Sequence, residues 1–342
     1  MDYLNDTSPK GRVFYVDNLK GFLIFLVVLG HMAELGPANS ARGQLLYSAI
    51  YAFHMPLFIL VSGLFVRPGA HNVRKAFKSL LWPYILMTLA MWILDVFIRQ
   101  QWTFPQFLKP YYALWYLLAL FFWKAAYGPV SRLRHPFLFT LTLSLLGGFV
   151  PDGQYWLAIG RILLFWPFFW AGAMLGARKW QPVQHSGFVK LLCAAAAAMT
   201  ALLVAWVVQV QDLPVLILKM DIAYGSIGFA KGILFRLFYL AAVGLICFLL
   251  LHAAPNKPTF VSRIGTQTLS VYLGHLFAMK AFQTLNLFTA GGWKGWLACG
   301  ICSLAIVLFF ACRPVANECS RIISHTYDEL VRIFPRLKYS KS

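Results

Sequence analysis

Ten apolar runs divide this 342-residue chain, at roughly 16–36, 44–66, 76–98, 112–128, 135–151, 155–177, 188–211, 231–252, 265–287 and 293–313. Each approaches the length of about 20 residues that a helix needs to cross the hydrocarbon core of a bilayer. In lipid every backbone N–H and C=O must find its partner inside the chain, which leaves only helical bundles and closed barrels. The alternating apolar and polar strands of a barrel are absent. Composition agrees: 60% of residues are hydrophobic and 12% charged, about half the charged share of a soluble domain. The expected fold is all-α, a polytopic integral membrane bundle of about ten transmembrane helices.

A net charge of +19 raises the question of nucleic acid. The placement of the charges excludes it. With the N-terminus in the cytosol, the cytosolic segments carry 20 Lys and Arg and the opposite side carries six. That asymmetry is the positive-inside rule. It predicts cytosolic termini and a multi-pass protein of the cell (plasma or inner) membrane. The basic side favours membrane lipid headgroups and an anionic cytosolic ligand. Residues 1–342 read as one transmembrane domain, with 1–15 a polar cytosolic segment rather than a cleaved signal peptide. Residues 314–342 read as a basic cytosolic tail, whose stretch RIISHTYDELVRIF predicts an amphipathic helix at the membrane surface. The loop 212–230 is apolar enough to dip into the membrane, and reads first as a packed loop and second as a cover over an opening.

Ionisable residues inside a span cost at least about 2.5–3.5 kcal/mol on insertion scales, so they usually face the bundle interior or a wet cavity. The first span, KGFLIFLVVLGH, holds Lys20 and His31 eleven residues apart, which puts them on nearly the same helix face about 16 Å apart along the axis. Glu34 follows His31 at i+3, within side-chain reach, and Asp17 precedes Lys20 by one turn. This stripe suggests His31 as a general base with Glu34 orienting it or stabilising its charged form; the plain alternative is an interfacial Asp17–Lys20 pair and a buried polar histidine.

In the second span, YAFHMPLFILVSGLF, His54 sits at a depth close to that of His31 and is a candidate for binding a hydroxyl substrate. Pro56 frees a backbone carbonyl, and Ser62–Gly63 read as helix packing. Arg74, Lys75 and Lys78 form a compact basic cluster that suits phosphates or simply sets topology. Arg161 falls inside the sixth span and requires an acidic partner, a wet cavity or snorkelling. Asp95 and Lys280 read as interfacial, and Trp115 as part of an aromatic belt. Cys299 and Cys302 read as small packing residues. There is no GxSxG, Walker loop, HExxH or other metal-ligand signature, so no metal is expected.

These motifs together resemble the acyltransferase 3 family of membrane-embedded acyltransferases. VDNLKGFLIFLVVLGH is similar to the family's opening motif, and FHMPLFILVSGLF to its second-helix motif. RKAFKSLLWPY, ALWYLLAL, WPFFWAGAMLG and TLSVYLGH, ending at His275, resemble later segments in the same order. The spelling DNLKG is closest to the sugar O-acetylase branch related to fucose 4-O-acetylase. The resemblance implies His31 as the catalytic histidine, Lys20 as its supporting basic residue, and Arg74, Lys75 and Lys78 as contacts to the phosphates of an acyl-CoA. His54, Arg161, Asp17 and Trp115 complete the candidate substrate contacts. The expected function is transfer of an acyl group, acetyl first among them, from cytosolic acyl-CoA to a hydroxyl of a cell-envelope sugar or polysaccharide. The competing reading is a transporter or flippase of a lipid-linked or small sugar, with the intramembrane His, Glu and Arg as its path. No internal repeat of the kind many transporters carry is present.

Overall fold

The computed structural model describes residues 13–333, except 37, 39, 68–69, 151–155, 184, 214–215, 220–222 and 286–291. Most of the expected N-terminal segment, and the end of the tail from 334, lie outside the described residues. Among the described residues the chain is helical throughout, without strands. The principal helices are α1 Phe14–Ala33, α2 Ala41–Gly63, α3 Ala70–Ala76, α4 Trp82–Arg99, α5 Trp115–Ser131, α6 Pro136–Leu146 and α7 Ile159–Ala177. They continue as α8 Gly187–Val210, α9 Leu216–Lys219, α10 Phe229–Ala253, α11 Phe260–Gly265, α12 Thr268–Thr284, α13 Gly292–Ala311 and α14 Arg313–Ile333.

Eight described helices are long and apolar enough to cross a membrane. Every expected span has a helix within it, but two of those helices are shorter. α6 has 11 residues before a 3-10 turn at Gly147–Phe149, a rise of only about 17 Å against a core of about 30 Å. α12 has 17 residues, ending just before the undescribed segment 286–291.

Small residues bring α2 and α7 into backbone contact. A Cβ at Gly172 would overlap the Leu60 carbonyl, one at Gly176 the Leu64 carbonyl, and one at Gly63 the Phe169 carbonyl. The pairs Leu60–Gly172 and Leu64–Gly176 advance together, so the two helices run parallel and side by side. Ser62 donates to the Phe58 carbonyl at 2.9 Å and receives the Tyr116 hydroxyl at 2.7 Å, which ties the same region to α5. The packing reading of Ser62–Gly63 is what the chain adopts.

Two prolines leave legible marks. Pro56 has no N–H for the carbonyl of Ala52, one turn earlier. The Tyr239 hydroxyl of α10 donates to that carbonyl instead, at 2.9 Å. Pro83 likewise removes the partner of the Ser79 carbonyl. The chain answers with a π turn at Phe77–Leu81, in which Trp82 N–H reaches back to the Phe77 carbonyl. A third device anchors the start of α1: buried Asn18 donates to the carbonyls of Pro255 and Lys257 at 2.8 and 2.9 Å and accepts from the Thr259 hydroxyl. Thr259 and Ser262 form the capping box that starts α11.

α14 takes the amphipathic form expected of the tail. Its Tyr327 is buried against Phe77 and Trp82, and the Trp82 indole donates to Thr326 at 3.1 Å.

Candidate active site

The last turn of α1 and the middle of α2 meet at a cavity of about 130 Å³. Space of that size admits several waters or a small acyl and hydroxyl pair. His31, Glu34, His54, Trp115 and Arg161 all line it. Five residues singled out from four separated stretches of sequence therefore converge on one space.

His31 Nδ1 lies 3.3 Å from the Tyr51 hydroxyl and 3.8 Å from Glu34 Oε2. The hydroxyls of Tyr51 and Tyr47 both donate to Glu34 Oε1, at 2.7 and 2.6 Å. With its proton given to the carboxylate, the Tyr51 oxygen is the acceptor for His31 Nδ1–H. That assignment leaves Nε2 of His31 with the lone pair. Positive charge arising on the ring is met through Tyr51 and directly by Glu34. His31 and Glu34 are 14% and 25% exposed at the side chain, buried enough for the carboxylate to matter and open enough for a substrate to reach the ring.

His54 donates from Nδ1 to the Ile50 carbonyl at 2.8 Å, which fixes its tautomer and leaves Nε2 as the acceptor. Its ring meets Tyr51 edge-on at 4.8 Å. The Arg161 guanidinium sits 5.3 Å over the Trp115 ring, a cation–π placement, within electrostatic range of Tyr47 and Tyr272. Trp115 stacks in turn on Phe165 at 5.6 Å. Its place is inside the bundle, 7% exposed, rather than in a belt at the membrane surface. From the loop 212–230, Leu218 of α9 is buried and closes part of the cavity wall.

Lys20 and Asp17 lie elsewhere, outside the cavity lining. Lys20 is about 16 Å down α1 from His31 by helical rise, its ammonium 5.1 Å over the Phe65 ring. Asp17 is within electrostatic range of Lys20, and its carbonyl is where a side chain on Gly265 would collide. The basic cluster divides. Lys75 shares electrostatic range with Lys124 of α5, as Lys20 does. Lys78 is turned to α14, 3.6 Å from Asp328 and 4.9 Å over the Tyr327 ring, and Arg74 is within range of Tyr327. Asp95 and Lys280, expected near span ends, form a direct ion pair between α4 and α12, with Lys280 only 7% exposed.

Sequence reasoning missed Tyr47, Tyr51, Tyr272 and Lys124, and gave His275 no role. Tyr47, Tyr51 and His54 fall at i, i+4 and i+7, one face of α2, so that signal was present. His275 is fully buried, its ring stacked on His31 with centroids 5.5 Å apart, and its Nδ1 donates to the Val271 carbonyl at 3.3 Å. The Tyr272 hydroxyl donates to the Ala113 carbonyl, closing the cavity between α12 and the start of α5.

The helical bundle thus brings a histidine, a carboxylate and an arginine to one small internal cavity. The model of the acyltransferase 3 family, described as an acyltransferase domain, matches residues 13–312, and the chain belongs to that family. The nodulation protein NolL of Sinorhizobium fredii (strain NBRC 101917 / NGR234) is 42% identical over 59 residues, a match covering 16% of this chain and 16% of NolL. No solved structure matches.

Proposed function

We propose that the chain is an O-acyltransferase of the cell membrane that moves an acyl group, acetyl first among candidates, from cytosolic acyl-CoA to a sugar hydroxyl of the cell envelope. The observation that carries this reading is the Tyr51–Glu34 arrangement behind His31, which orients the ring and leaves the lone pair on Nε2. In the forward step Nε2 takes the acceptor hydroxyl's proton as the oxygen attacks the thioester carbonyl. Arg161 offers charge to the oxyanion that forms. Collapse breaks the carbon–sulfur bond, and the leaving thiolate regains the proton from the His31 imidazolium. The products are the O-acyl sugar and free coenzyme A.

The donor's phosphates are assigned to the basic mouth, where Lys75 joins Lys20 and Lys124; Lys78 and Arg74 border it from the α14 side. A pantetheine arm spans the roughly 16 Å from Lys20 to His31. His54, through Nε2, is the proposed partner of the acceptor hydroxyl.

The test is acyl transfer from radiolabelled acetyl-CoA to envelope glycans by purified protein and by His31→Ala. Label on a glycan, lost in the variant, is the expected result. Absence of both acetyl-CoA binding and transfer would overturn the reading in favour of the transporter.

A further inference from the structure

A second and larger cavity, about 570 Å³, lies at the opposite end of α4 from the basic mouth. α4 has 18 residues, so the two ends are about 27 Å apart by helical rise. The cavity is walled by Trp92, Asp95 and Arg99 on α4, by Gln101, Thr103 and Gln106 of the irregular segment that follows, and by Tyr111 and Tyr112. Tyr112 also lines the His31 cavity, so the two spaces share a wall residue. Tyr112 is in the left-handed region at φ 43°, an uncommon conformation for a bulky residue, and its hydroxyl donates to Gln283 at 2.9 Å.

We infer that this outer cavity is a carbohydrate-binding vestibule through which the acceptor reaches His31, entering from the face opposite the acyl-CoA. The inference rests on the acyltransferase reading for its chemistry and on the cavity wall for its ligand. Sugars are recognised by aromatic faces set beside planar groups that pair two hydroxyls at once. This wall supplies the first with Trp92 and the Tyr111–Tyr112 pair, 4.7 Å between centroids. It supplies the second with the amides of Gln101 and Gln106 and the carboxylate of Asp95. The wall is also braced. The Trp92 indole donates to the Thr103 carbonyl at 2.7 Å, the Tyr84 hydroxyl donates to Phe107, and Asp95 is anchored by Lys280. Two other cavities in the bundle have no such character. The one between Met87, Phe277 and Phe310 and the one between Phe53, Ala197 and Leu250 are walled almost wholly by apolar side chains, as lipid contact would leave them.

The experiment uses the full chain in lipid nanodiscs and a library of soluble oligosaccharides ending in hexose, deoxyhexose, N-acetylhexosamine or uronic acid. Gln106→Cys and, separately, Gln101→Cys are reacted with a bulky membrane-impermeant maleimide. Wild type treated alike is the reference. The expected result is that wild type binds at least one library member and that modification at either position weakens that binding at least about tenfold, while acetyl-CoA binding changes less than twofold. Oligosaccharide binding untouched by both modifications, or no binding of any library member by wild type, would overturn the vestibule. Bound oligosaccharide that never receives an acyl group from either acetyl-CoA or succinyl-CoA would leave the cavity a carbohydrate site and sink the acyltransferase reading instead.

Discussion

The rings of His31 and His275 lie face to face, centroids 5.5 Å apart and planes 27° from parallel. His275 Nε2 is buried and has no hydrogen-bond partner among the described residues. An unsatisfied buried acceptor costs about 1–3 kcal/mol. His275→Phe keeps a ring in the stack and removes that acceptor. Its melting temperature is expected to hold or rise while transfer falls about tenfold, because the stacked ring positions His31 and a six-membered ring displaces it. Thermal unfolding in detergent beside initial rates checks both halves; full activity in the variant would assign His275 to packing alone.

Tyr51→Phe deletes the hydroxyl that links His31 to Glu34. We expect kcat to fall by about 10–100-fold with little change in the KM for the donor. Glu34→Gln should cost at least as much. Because both residues act on one ring, the double variant should be no worse than Glu34→Gln alone. Additive losses would mean that the two act separately.

Backbone contact between α2 and α7 sets the stability of the site. Gly172→Val places atoms where the Leu60 carbonyl stands. The expected cost exceeds about 2 kcal/mol, the overpacking range, and should appear as a lower melting temperature and poor yield. Gly128→Ala in α5 is the comparison: nothing lies within 4 Å of its added Cβ, and better helix propensity favours it by up to about 1 kcal/mol.

At the basic mouth, Lys75→Ala is expected to raise the donor KM about tenfold at low salt, with the effect shrinking as ionic strength rises. Lys78→Ala should act mainly by loosening α14, since Asp328 and Tyr327 hold its ammonium.

The same contact has a pH signature. Burial first, and the Asp328 carboxylate next, hold the Tyr327 phenol above its usual range, with Arg74 pulling the other way. A phenol whose folded-state value is raised contributes its full share below the unfolded value of about 10. That share is lost as pH rises through the folded value. Protease sensitivity of α14 should therefore stay flat through about pH 10 and increase above it. Release of α14 near neutral pH would contradict this.

Much of the molecule was legible because lipid is a demanding solvent. Apolar length alone located the long helices, and polar character inside them marked His31, Glu34, His54 and Arg161, all of which meet at one cavity. The residues that escaped are those whose value depends on a partner from another helix. Tyr47 and Tyr51 look like ordinary aromatic residues until Glu34 arrives between them. Arg236, buried in α10, passed unremarked; it donates to the Ser144 carbonyl at 3.0 Å and lies 4.9 Å from the Tyr224 ring. Lys78 of the basic cluster has a second contact that spacing could not announce, because its partner Asp328 comes from the tail. A π turn begins one residue before it, at Phe77.

That turn sets the angular phase of everything after it. One added residue rotates the following helix by about 100° relative to the preceding one. Lys78, the second residue of the turn, meets Asp328 and Tyr327 of the tail, and the change of phase passes on to α4. Removing a single residue from 77–81 would bring α3 and α4 back into phase and turn α4, with Trp92 and Asp95 on it, by about 100° relative to α3.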